Sequence, residues 1–371
     1  TVTNLNVDTT SNAANGSQWI DEADGLSSLD LRAGSGAIVL TSGGTVLDPD
    51  TALDIQATTF TGVILGDFGA SATANDAIDT AVDNLNVDTF AANGSQWINE
   101  MDSLVTLNLN AGTANITLTT GGAILDGDNA LDIQAVTFTG TVNGNFGGAV
   151  AADDAIDTAV TNLNLNTSGA HGSQWIDEAD GLSTLNLNAG DGNITLNSGG
   201  TVTDSDGNAD VRATTFTATI DGAFGATGGG DNSIDTTVTN LNVDTTSNAA
   251  DGGQWIDEAD GLSTLNLNAG DGNITLNSGG TVTDSDGNAD VRATTFTATI
   301  DGAFGATGGG DKSIDTTVTN LNVDTTSNAA NGSQWIDEAD GLSTLNLNAG
   351  SGNITLNSGG PVADGDADAD I

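Results

Sequence analysis

Apolar and polar residues alternate one for one in Leu185-Asn-Leu-Asn188 and again from Ile194 through Leu196, with Ala-Gly-Asp-Gly between the two runs and Ser-Gly-Gly after them. A period of two puts successive side chains on opposite faces of a strand. Gly-rich tetrads of this kind mark corners. The stretch therefore predicts strand, corner, strand, corner. It returns from Leu265 and Leu345, and in variant form from Leu29 and Leu107, so the chain is built on a repeat.

The tryptophans set the period. Trp19, Trp97, Trp175, Trp255 and Trp335 are spaced by 78, 78, 80 and 80 residues. From each Trp to the Leu of the next Asn-Leu-Asn motif the distance is always 66, so all length variation falls in one segment, such as 9–17 or 89–95. Insertions of that kind belong to a surface loop. The repeats run 1–80, 81–158, 159–236 and 237–316, with a partial fifth over 317–371. One unit divides into three similar pieces, 182–208, 209–235 and 236–261. Each has the length of one lap of a β-solenoid, giving about three coils per repeat and a rise of roughly 14 Å, or about 65 Å for the whole chain. The competing architecture is a string of small β-sandwich modules. It fits less well, because a sandwich carries about seven strands around a bulky aromatic centre. The segment around Ser173 to Gly181 reads as a short helical turn or an irregular loop.

Residues 184–200 (Thr-Leu-Asn-Leu-Asn-Ala-Gly-Asp-Gly-Asn-Ile-Thr-Leu-Asn-Ser-Gly-Gly) resemble the coils of filamentous-haemagglutinin-type large exoproteins and related repetitive bacterial adhesins. The resemblance covers one coil in three and implies an all-β chain wound as a right-handed parallel β-helix. It also implies a secreted or cell-surface location.

Composition narrows the reading. Aromatic residues make up 4 % of the chain, so the core is thin and built from Val, Ile, Leu, Ala and Thr. The net charge of −47, with only four Lys and Arg, excludes nucleic acid as a partner. It also disfavours anionic lipid. No apolar run is long enough to span a bilayer, so no membrane insertion is expected in this segment. Without Cys there is no disulfide framework. A total charged content of 15 % is modest for a salt-adapted cytosolic protein and favours a cation-rich exterior. The chain opens inside one repeat and stops inside another, as an excerpt of a longer protein would.

The strongest candidate chemistry is an aspartate array. Asp204, Asp206 and Asp210 recur as Asp48, Asp50 and Asp54; as Asp126, Asp128 and Asp132; as Asp284, Asp286 and Asp290; and as Asp364, Asp366 and Asp370. Carboxylates at positions 1, 3 and 7 of a turn can surround Ca²⁺ with oxygen. The array is not an EF-hand, since Thr215 stands where a bidentate Glu is required. The competing reading is a turn built from good turn formers.

A second acidic group follows each Trp: Asp21, Glu22 and Asp24; Asp177, Glu178 and Asp180; and Asn99, Glu100 and Asp102. It reads as a solvated loop, because a glycosidase needs one distinct carboxylate pair rather than five equal copies. The five Trp are candidates for stacking on a ligand such as a sugar, or for plugging space beneath a loop. One per repeat, they would line up in a ladder. Both Phe series, from Phe60 and from Phe68, read as core. Asn15 and Asn193 match glycosylation sequons but read more simply as turn and ladder residues. The Gly305–Ser313 run only faintly resembles a phosphate loop, and its Lys312 is Asn232 in the matching copy.

These features predict a non-enzymatic structural repeat of a surface adhesin or fibre, acting as a rigid stalk and associating with itself or with neighbouring repeats. The alternative is a repeat that binds a surface glycan or protein through its Trp and acidic loops.

Overall fold

The alternating runs become strands whose apolar residues face inward. In the computed structural model, Leu185, Leu187, Ile194 and Leu196 are all buried, in strands Thr184–Asn188 and Asn193–Ser198. The structure describes every residue except 1, 12–14, 72–75, 150–153, 228–231, 248–250, 308–311, 328–330, 364 and 366–370. The chain folds as a parallel β-solenoid of about 15 turns. It divides into two compact units, one of Thr1–Ala179 with Ala189–Gly192 and one of Asp180–Asn188 with Asn193–Ile371. Among the described residues no helix is long and apolar enough to cross a membrane.

In the first unit, strand lies on strand in parallel register, one lap further along the chain each time. Asn4–Asp8 pairs with Ser28–Arg32, then come Ile55–Gln56, Ile78–Ala81, Gln96–Glu100 and Asn115–Thr120. A second ladder runs through Gln18–Glu22, Ala37–Ser42, Thr59–Ile64, Asn84–Asp88 and Thr106–Asn110. Isolated bridges carry Leu26 onto Val46, Phe68 and Gln96. The second unit repeats the scheme. Ile194, Phe216, Leu241 and Leu265 stack in one column, and Val211, Thr236, Glu258, Ser278 and Ile300 in another.

A coil is shorter than a third of the repeat. Following one column from Ile20 through Leu40, Gly62, Val87, Leu109 and Ile133 to Thr158, six laps are laid down at about 23 residues each. A repeat of 78–80 residues therefore takes three laps and about half of a fourth. Equivalent residues of successive repeats consequently fall in different ladders. Trp19 lies over Val39, Thr61 and Asn86, whereas Trp97 lies over Thr117, Thr139 and Asn164. In the second unit Trp255 lies over Thr275, Thr297 and Asn322, and Trp335 over Thr355. The expected tryptophan ladder does not form, because the repeat length is not a whole number of laps.

Four pairs of phenylalanines lie in the interior, one in each of the first four repeats. Phe60 and Phe68, Phe138 and Phe146, Phe216 and Phe224, and Phe296 and Phe304 are all fully buried, with ring centroids 5.7 to 6.0 Å apart. The Asn and Thr that face outward bond from lap to lap, as Asn162 Nδ2 does to Thr137 Oγ1 and Asn240 Nδ2 to Thr215 Oγ1, both at 3.1 Å. The loops also stack on one another. Gly94 passes so close to the preceding lap that an added Cβ would lie 1.9 Å from the Gly66 carbonyl oxygen, and Gly172 meets Gly144 in the same way. Each follows a residue with positive φ, Asn93 or His171, and Asn15 holds the same position in the first copy.

Candidate metal centre

Each aspartate loop sits between a bridge residue and a strand, Val202 and Val211–Ile220 in the third copy. The loop winds inward because its carboxylates bond its own backbone. The Asp206 amide donates to Asp204 Oδ2 at 2.8 Å, and the Asn208 amide to Asp206 Oδ1 at 2.9 Å. The far end is tied to the next lap, where the Asp235 amide donates to Asp210 Oδ2 at 2.7 Å. The first, second and fourth copies repeat that tie, from Asp79 to Asp54, Asp157 to Asp132 and Asp315 to Asp290.

The three positions are not equivalent. Positions 1 and 7 are buried, at 2 % exposure for Asp204 and 1 % for Asp210, while Asp206 faces solvent. The same division holds at Asp48 and Asp54 against Asp50, at Asp126 and Asp132 against Asp128, and at Asp284 and Asp290 against Asp286. In the copies at 48–54, 204–210 and 284–290, one carboxylate oxygen from each Asp lies within 4.8 Å of the other two. Two oxygens bound to one calcium at 2.3–2.6 Å are at most about 5 Å apart, so this spacing admits a shared ion. Asp364, Asp366 and Asp370 lie outside the described residues.

Burial sets the electrostatics. It pushes the carboxyl groups of Asp54, Asp132, Asp210 and Asp290 up to about 8, against a backbone hydrogen bond that pulls the other way. Neighbouring acids push in the same direction as burial, Asp204, Asp235 and Asp206 in the case of Asp210. Asp48 is raised as well, again chiefly by burial. Fully ionised, each loop would hold more negative charge than its surroundings can solvate, so the carboxyl at position 7 keeps its proton up to about pH 8.

The acidic group after each Trp is not a helical turn, and it is solvated only in part: Asp24, Asp102 and Asp180 are exposed in the bend, while the Glu is buried. Gln-Trp-Ile-Asp-Glu, with Asn99 in place of Asp in the second copy, is a strand in every copy, with Gln, Ile and Glu turned inward in the later four. The glutamates Glu22, Glu100, Glu178, Glu258 and Glu338 are buried at 0 to 5 % exposure. Glu100 accepts from Thr80 Oγ1 at 2.7 Å, from the Val82 amide at 3.2 Å and from the Asp102 amide at 3.0 Å. Thr80 belongs to the lap below, and Thr120 lies above in the same column. Burial raises the Glu100 carboxyl and pushes that of Glu258 up to about 6. Sequence reasoning missed these groups, since Glu next to Asp and Gly reads as surface. The one available signal was the alternation Gln-x-Ile-x-Glu itself.

The indoles face outward. Trp97, Trp175, Trp255 and Trp335 are half-buried and Trp19 is 77 % exposed. Trp97 shares a surface recess with Ala70, Ser71 and Ala77 of the preceding loop. The glycine run around Lys312 is used by the fold: the Gly305 amide donates to the Val282 carbonyl and Ala306 to that of Lys312. Residues 308–311 of that run are outside the described residues. His171 Nδ1 lies 3.3 Å from Asp191 Oδ2 at the surface. Comparison of the chain with family models, with curated proteins and with solved structures returns no match.

Proposed function

We propose that this chain is a length-setting structural segment of a secreted or surface-displayed bacterial adhesin or fibre, working as a stiff stalk or filament. The supporting observation is that the interface between laps is the same whichever repeat supplies it. Ile194 on Phe216 and Ile274 on Phe296 have identical register, in stretches whose sequences agree from Trp175 to Asn242 and Trp255 to Asn322 apart from Asn232 and Lys312. When each lap contacts only its neighbours, stability grows by nearest-neighbour terms and repeats can be added without redesign. Length is then the property that duplication changes. The test is a series of chains with two to five repeats, imaged by electron microscopy. Each added repeat should lengthen the particle by roughly 17 Å, three and a half laps at strand spacing. Beads of constant size would overturn the proposal.

A second reading, glycan or partner binding, draws on the outward-facing indoles with Asp or Asn two residues along the same strand face, as at Trp97 and Asn99. It requires that glycan-array binding be lost in Trp→Ala variants of unchanged stability.

A further inference from the structure

We propose that the aspartate loops at 204–210 and 284–290 are each a binding site for one hard divalent cation, calcium by its ligand chemistry, held between the two buried carboxylates and closed from solvent by the exposed one. Three observations carry it, and they are independent of the stalk reading. The first is spacing: oxygens of Asp204, Asp206 and Asp210, and of Asp284, Asp286 and Asp290, converge within 4.8 Å. The second is that the buried carboxylates are incompletely satisfied. Asp204 Oδ1, Asp210 Oδ1, Asp284 Oδ1 and Asp290 Oδ1 are inaccessible to solvent and have no hydrogen-bond partner, although the other oxygen of each pairs with backbone. Buried polar atoms are otherwise almost always paired. The third is recurrence: the same two-in, one-out arrangement of the acids is found at all four described copies.

A donor set made only of carboxyl oxygens selects a hard cation over zinc or copper, which take nitrogen or sulfur. Calcium fits an irregular loop because it accepts six to eight oxygens in flexible geometry, water completing the shell. The ion would also join laps. Asp210 receives the amide of Asp235 from the next lap, and the Asp210 carbonyl accepts from Leu187 of the lap before. Fixing Asp210 to Asp204 therefore tethers three consecutive laps at one point.

The test uses the full chain in 150 mM NaCl, with calcium chloride as the probe. Bound calcium is measured by equilibrium dialysis, and the melting midpoint by circular dichroism with calcium or with chelator. The parent should bind at least two ions and melt several degrees higher with calcium. The pair Asp204→Asn with Asp284→Asn should bind two fewer ions, while Asp180→Asn with Asp260→Asn removes the same charge from exposed sites and should bind as the parent does. Should the buried pair fail to fold, Asp206→Asn with Asp286→Asn alters only exposed ligands and should weaken binding several-fold. Equal loss from the triad and control variants would mean that calcium is held only by the diffuse field of a chain of charge −47. That result, or a parent with no calcium-dependent midpoint, overturns the proposal.

Discussion

Thr80 and Glu100 meet inside the first unit, the threonine hydroxyl donating to the glutamate carboxylate at 2.7 Å with both side chains at 0 % exposure. The contact joins successive laps, and its equivalents, Thr158 with Glu178, Thr236 with Glu258 and Thr316 with Glu338, have the same length. A polar pair thus interrupts the apolar column once in every repeat. Its worth depends on keeping both partners, because a buried group that loses its partner bears the full cost of desolvation.

Truncation of the acid should accordingly cost more than its neutralisation. Glu100→Ala strands the Thr80 hydroxyl and the Val82 amide, and is expected to destabilise the fold by roughly 2–4 kcal/mol in urea denaturation. Glu100→Gln keeps an acceptor for the threonine and should cost less than half as much. Equal effects would show that the hydrogen bonds contribute nothing beyond packing.

The pH dependence has a definite sign. Burial lifts the Glu258 carboxyl from an ordinary 4.5 to about 6, so the folded chain holds this proton more tightly than the unfolded chain does. Its contribution is fully present below pH 4.5 and is lost as pH rises through about 6, a change of roughly 2 kcal/mol. Denaturation midpoints of the parent and Glu258→Gln between pH 4 and 7.5 isolate this contribution. The variant should lose stability less steeply across that range.

Glycines should divide into two classes by what lies over them. Gly94→Ala drives a methyl into the Gly66 carbonyl oxygen and should abolish the cooperative melt or lower its midpoint by more than ten degrees. Gly127→Ala meets nothing within 4 Å and should leave the midpoint within a degree or two. Circular dichroism melting of the two variants is sufficient to compare them.

The phenylalanine pairs are fully buried between aliphatic and polar residues of the neighbouring laps. Phe216→Ala removes a fully buried ring 5.8 Å from that of Phe224 and should cost about 3–5 kcal/mol. Phe216→Leu, which refills most of the volume, should recover more than half of that loss when both are measured in urea.

Where alternation was strict and apolar, the sequence could be read directly: Leu185, Leu187, Ile194 and Leu196, and both Phe series, are buried as their period implies. The solenoid followed from these runs and from the fixed repeat. Glu100 and Gln96 were not legible, because a polar side chain reads as outward unless its partners are known, and theirs lie elsewhere in the chain, as Thr80 does for Glu100 and the Val87 carbonyl for Gln96. The Asp loops were legible as a set but not in their division into buried ends and an exposed middle. That division comes from ties such as Asp235 to Asp210, which only the lap register reveals. The lap length itself was overestimated, since the residues of the strand pairs and those of the loops are not distinguished by counting motifs.

The half-lap left over in each repeat governs what the outside of the molecule offers. The column that begins at Ile20 reaches Glu178 after seven laps, only two residues past Ile176, while Ile98 belongs to the other ladder with Ile78 and Leu118. Within the first unit a given group therefore returns to the same ladder only at the second repeat along. Gaining or losing a single repeat within that unit would shift the following copy from one ladder to the other, so duplications in pairs are the ones that keep the ladder assignment.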